Sequence, residues 1–197
     1  MRWYNVNMST AEKLSEKLTT ADELLRMPDD GHRYDLVEGE LRMMSPAGFE
    51  HGAIAQCIGA RLAAYVRDHA LGLVAAAETG FLIAHNPDTV LAPDVAFVRQ
   101  TRLDEIGFPK SFFPEAPALV VEVASPSDTI EEVDAKIRRW ISAGTELAWV
   151  VNPSGRTVTI YRALDNIEVL TEKDILSGDS VVPGFECQVA ELFIGLK

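Results

Sequence analysis

Glu122 stands inside Leu119-Val120-Val121-Glu122-Val123, a run of branched apolar residues that predicts a strand covered on both faces. An ionised carboxylate there costs several kcal/mol unless it is paired, or else it keeps its proton. An ion pair with an arginine or a hydrogen-bonded core glutamate would explain it; so would a site that uses the charge. Asp94 raises the same question at the head of a second apolar run, Pro93-Asp94-Val95-Ala96-Phe97-Val98. A strand-entry aspartate alone can simply satisfy nearby backbone N–H groups. Two strand carboxylates brought to one place could instead hold a divalent cation through oxygen ligands.

Lys136 supplies a third charge. It follows Val133 by three residues and precedes Trp140 by four, which at about 100° per residue puts it at the edge of a helix's apolar stripe. From that edge its methylenes can run along a sheet and carry the ammonium to the strand carboxylates. A surface pair with Glu132, worth about 0.3–0.5 kcal/mol, is the plainer alternative. Ser125 follows Glu122 closely enough to reach a phosphate or a metal-bound water. Capping of the next helix by Ser127 or Asp128 is the better explanation of this stretch. No Gly-rich phosphate loop, HExxH or GxSxG pattern is present.

The elements that must position these groups alternate strands with helices. Thr20 caps a short helix over ADELLRM, ended by Pro28-Asp29-Asp30-Gly31. Strands RYDLVEG and ELRMMS follow with Gly39 in their bend, then the loop Ser45-Pro46-Ala47-Gly48. Ile54, Ile58, Leu62, Tyr65 and Val66 recur at helical spacing between Glu50 and Ala70. A β region over LVAAAETGFLIAH, a turn at Asn86-Pro87-Asp88 and a strand PDVAFVRQ come next. A loop containing Pro109, Phe112, Phe113 and Pro114 leads to the Glu122 strand. The second helix starts near Asp128 or Thr129, buries Ile130, Val133, Ile137, Trp140 and Ile141, and ends at Gly144. Strands ELAWVVN and TVTIYRA, a last short strand and a helical turn VAELF complete an α/β order: a mixed central β-sheet flanked by two principal helices. Residues 1–19 read as a flexible polar leader, with Met8 an alternative start, and 20–197 as a single domain.

Composition is that of a globular chain: 197 residues, 47% apolar and 24% charged. No stretch reaches the roughly 18 apolar residues of a membrane span, and the first residues lack the apolar segment of a secretory signal. Cys57 and Cys187 form no CxxC pair, which argues against a disulfide framework or zinc knuckle and makes the cytoplasm the expected compartment. The net charge of −12 works against nucleic-acid binding, which draws on Lys and Arg, although a bound cation offsets part of an acidic site.

From about Thr20 to Phe193 the chain resembles the Uma-two family of restriction-endonuclease-like proteins. The resemblance rests on RYDLVEGEL, the MSPAG loop followed by His51, APDVAFV, VVEVASPSD, Lys136, and ISAGTELAWVVNP, in that order and spacing. The family is similar to the PD-(D/E)XK nucleases, which implies a restriction-endonuclease-like fold with Asp94 and Glu122 as metal ligands and Lys136 as catalytic lysine. The usual lysine position, two residues after the acid, is Ala124 here, and Lys136 on the following helix takes its place. Trp140 and Ala148 stand where the family often has tyrosines and are read as packing positions. Glu38 matches the family's acid before a glycine and is the expected third ligand, a hairpin-end glutamate facing solvent being the alternative. Glu78 is a weaker accessory candidate, and His51 an accessory residue at the helix start.

The resemblance implies a Mg²⁺-dependent endonuclease, with Mn²⁺ an alternative ion, acting on nucleic acid, foremost DNA, without a membrane. A homodimer is the expected assembly by analogy, and Arg99, Arg102, Arg138 and Arg139 are the expected basic groove. The competing reading is a catalytically inactive nuclease-fold protein used for binding or assembly.

Overall fold

The computed structural model describes residues 18–126 and 128–193. The expected leader falls almost wholly outside that range, as does Ser127. Leu18 and Thr19 lie on the first hairpin, the Thr19 N–H donating to the Gly39 carbonyl at 2.8 Å. The chain runs through α1 (Ala21–Leu25), β1 (Arg33–Val37), β2 (Glu40–Met44), α2 (Phe49–Asp68), β3 (Gly72–Ala76), β4 (Phe81–Ala84), β5 (Thr89–Leu91) and β6 (Val95–Arg99). It continues through α3 (Gln100–Ile106), β7 (Leu119–Val123), α4 (Ile130–Ser142), β8 (Leu147–Asn152), β9 (Thr157–Ala163), β10 (Asn166–Thr171), β11 (Ile175–Ser177), β12 (Glu186–Gln188) and a 3-10 turn, Val189–Phe193.

A six-stranded sheet in the order β10-β9-β8-β7-β6-β3 forms the centre. Only β7 and β8 pair in parallel within it, because α4 carries the chain back across one face between them. Alternation along β7 decides what each face receives. Leu119, Val121 and Val123 join α2's Ile54, Ile58, Leu62 and Val66, with Trp149 and the C-terminal segment, in one apolar cluster. Val120 points the other way, to Ile137 and Trp140 of α4, Phe81 and Leu91. A second sheet, β2-β1-β5-β4, lies beside that α4 face. The mixed central sheet with its two principal helices is thus as expected.

Several elements differ from expectation. LVAAAETGFLIAH is split between the two sheets as β3 and β4, since the chain leaves the first sheet after Ala76. The loop after β6 begins with a helix, α3, whose Leu103 is buried. The cap of α4 is Thr129, in a capping box with Glu132, not Ser127 or Asp128. Ile130 is 85% exposed rather than buried, in a first turn whose Glu131 and Glu132 are exposed as well.

Candidate active site

Antiparallel pairing of β6 with β7 sets Val95 opposite Val121, so one step further places Asp94 beside Glu122. The contact is direct in the backbone: the Val123 N–H donates to Asp94 Oδ2 at 2.7 Å. Asp94 thus lies beside the second carboxylate and accepts a backbone N–H of the neighbouring strand, not one of its own local N–H groups. Helix α4 then closes over Glu122. Lys136 and Trp140, four residues apart, share one helix face. Lys136 Nζ donates to Glu122 Oε2 at 2.8 Å, and Trp140 Nε1 donates to Glu122 Oε1, also at 2.8 Å. Each oxygen of the buried carboxylate has its own donor. Glu132, the alternative partner of Lys136, is used instead by the Thr129 cap. Trp140 is thus a hydrogen-bond donor to the central carboxylate as well as a packing residue.

His51, in the first turn of α2, reaches Asp94 Oδ2 with Nε2 at 3.2 Å. Asp35 of β1 was not foreseen. It is buried, accepts the Ala92 N–H at 3.3 Å, and its charge acts on Lys136, whose Nζ also lies 3.5 Å from the Ala92 carbonyl. The signal for it was present in RYDLV: a carboxylate inside an apolar strand, the argument that singled out Glu122.

Glu38 does not join this group. It occupies the β1–β2 turn with φ 52°, is exposed, and lies off the cavity wall; its backbone N–H donates to Thr89 Oγ1, and its carboxylate has no partner among the described residues. The solvent-facing hairpin glutamate is the reading that fits, and Asp35 is the β1-hairpin acid that points inward. Glu78 reaches the cavity rim but is paired with Arg33 at 2.6 Å. Ser125 lines the cavity, its N–H held by Asp128 Oδ2 at 2.7 Å. The expected basic groove is absent in that form. Arg99 pairs with Glu146, Arg102 with Glu115 and Glu105, and Arg138 with Asp134; Arg139 alone of the four lines the cavity.

Burial dominates the electrostatics. It pushes the Glu122 carboxyl up to about 7, with Asp94 adding to the rise and Lys136 and Trp140 opposing it. Burial acts to lower Lys136, but the charges of Glu122, Asp35 and Asp94 outweigh it and hold the ammonium above its ordinary range. The bond to Asp94 raises His51 against the effect of its own burial. Asp35 is raised by burial, against the pull of Lys136. All four groups border an open cavity of about 1320 Å³, walled by the β1–β2 hairpin, the start of α2, the edge of β3, and α4. Among the described residues no three His, Cys, Asp or Glu side chains form a ready metal cage. Two adjacent carboxylates of which one is destabilised by the other do suit a hard cation such as Mg²⁺, which keeps several waters and takes substrate oxygens. They do not suit an all-protein zinc site.

A family model described as Uma2, putative restriction endonuclease, matches residues 21–190. The chain belongs to the Uma2 family. Asp94, Glu122 and Lys136 all lie within the matched span. A crystal structure described as a putative nuclease belonging to DUF820 from Anabaena variabilis ATCC 29413 shares the fold, with a TM-score of 0.75 and 21% identity over 88% of this chain and 97% of that one. No protein of curated function matches the chain. No described helix is long and apolar enough to cross a membrane.

Proposed function

We propose that this Uma2 protein is a metal-dependent endonuclease that hydrolyses phosphodiester bonds of DNA with Asp94, Glu122 and Lys136. The observation that carries the reading is the convergence of two carboxylates from neighbouring strands and one helix-borne ammonium at an open cavity. Asp94 and Glu122 would hold Mg²⁺, or Mn²⁺ in its place; when bound, the ion supplies Lewis acidity and lowers the pKa of a water. Lys136 presents a positive charge where negative charge develops on the phosphoryl oxygens, and Glu122 fixes its position. Trp140 holds the other Glu122 oxygen, limiting the carboxylate's rotation. His51 orients Asp94 from the opposite wall.

Calorimetric titration with Mg²⁺, with and without DNA, tests this in wild type, Asp94→Asn and Glu122→Gln. These replacements are isosteric, so that Lys136 is not left facing a void. Binding should vanish in both variants. In wild type it should weaken as pH falls below about 7, because Glu122 must then release a proton to bind the ion. Metal binding retained by both variants would move the ion elsewhere. No binding even with DNA present would leave the inactive, binding-only form of the fold as the better reading.

A further inference from the structure

Acidic residues outnumber basic ones by 30 to 18, so an arginine on this protein readily finds a carboxylate. Nine of the eleven described arginines stand within ion-pair distance of one. The two that do not are Arg42 and Arg139, and both line the cavity that holds Asp94 and Glu122. They come from different walls. Arg42 lies on β2 opposite Asp35 in the β1–β2 register, hence on the sheet face that Asp35 turns inward. Its charge acts on Asp35 without an ion pair between them. Arg139 lies on α4, half-buried, with Nη1 donating to the Ala135 carbonyl at 3.2 Å, which directs the guanidinium while its other donors have no partner among the described residues. Its sequence neighbour Arg138 is paired with Asp134 and lies outside the cavity.

We infer that Arg42 and Arg139 are the phosphate-binding residues of this cavity, contacting the backbone of a nucleic-acid strand from the hairpin wall and the helix wall. A guanidinium suits this role because its planar fork of donors matches two phosphate oxygens at once. On an acidic surface, two such residues confined to one cavity also keep the attraction local, so that a strand is drawn to the carboxylates and not along the whole protein. The assignment rests on reading the cavity as a phosphodiester site, but its test requires neither metal binding nor cleavage.

The test is fluorescence anisotropy of a short labelled DNA strand and of its duplex, in Ca²⁺ and again in EDTA, across a salt series. It compares wild type, Arg42→Ala, Arg139→Ala, the double variant, and Arg138→Ala as control. Each cavity variant should bind about tenfold more weakly. It should also lose about 0.7–0.9 from the slope of log affinity against log salt, the mark of one phosphate contact. The double variant should lose about twice that slope, and Arg138→Ala should match wild type. A merely structural effect would lower affinity without changing the slope. Equal slopes in wild type and the double variant overturn the inference and leave the metal titration untouched. Binding by none of the proteins, in either buffer, also overturns it.

Discussion

The two faces of the central sheet each bury one tryptophan, and the two are treated differently. Trp149, on the α2 face, is surrounded by apolar side chains, and its indole N–H has no hydrogen-bond partner among the described residues. Trp140, on the α4 face, is equally buried but donates to Glu122. The α2 face is a packing surface that tolerates one unsatisfied donor. The α4 face is a packing surface built around a charge, in which Trp140, Lys136 and Asp35 are arranged so that a carboxylate can remain inside the protein. The difference shows what a site of this kind demands of a fold: one strand, β7, must serve a dry core with Val121 and Val123 and a polar network with Glu122.

The sharpest way to break that comparison is along β7 itself. Glu122→Ala should cost about 3–5 kcal/mol, because it leaves Lys136 enclosed without its partner and the Trp140 N–H without an acceptor. Val121→Ala, one residue away on the dry face, should cost about 2 kcal/mol of lost burial and cavity. Urea denaturation of both variants measures the gap; equal losses would mean that the polar network adds nothing to stability.

Lys136→Met, which keeps the bulk and removes the charge, should slow DNA cleavage by about 10²–10³-fold in single-turnover assays. It should also change how stability depends on pH. A carboxyl whose folded pKa lies above its unfolded value favours folding below the unfolded value, and that contribution is lost as pH rises through the folded one. For wild-type Glu122 the window runs from 4.5 to about 7. Without the ammonium the window extends upward and the loss deepens. Urea midpoints should therefore agree with wild type near about pH 5 and fall below it near about pH 9. A variant that tracks wild type across this range would show that Lys136 does not stabilise the Glu122 charge.

The smallest effect separates the tryptophans. Trp140→Phe removes a bond to a charged group, a loss of about 2 kcal/mol, and should move the pH midpoint of Mg²⁺ binding upward. Trp149→Phe discards a donor that had no partner and should cost about 1 kcal/mol or less with no change in that midpoint. Equal melts together with equal midpoints would erase the distinction between the faces.

Much of this was legible in the sequence. Capping chemistry placed α1 at Thr20, the spacing of Ile54, Ile58 and Leu62 placed α2, and the apolar run around Glu122 marked the central strand. These signals are local: a cap or a helical stripe is written within a few residues of where it acts. The odd charges were legible for the same reason, since Glu122 is conspicuous against its own neighbours. Its partners were harder to read. Lys136 had two plausible acids, and only the packing of α4 on β7 chose Glu122 over Glu132, which the helix cap had already engaged.

Glu38 and Asp35 divide the two kinds of information most clearly. Both are acids of one hairpin, and the family resemblance favoured the one beside the glycine. The left-handed turn at Glu38 sends its side chain to solvent, while the pleat of β1 turns Asp35 toward Lys136. The same holds for the arginines, whose availability depends on which carboxylates the fold brings near them. By itself the sequence determined the principal helices and central strands, the family resemblance and the strand charges that needed an explanation, while α3 and all but one of the three strands after β9 went unread. Tertiary structure alone decided which charges meet, because strand register, helix docking and burial act between residues far apart in the chain.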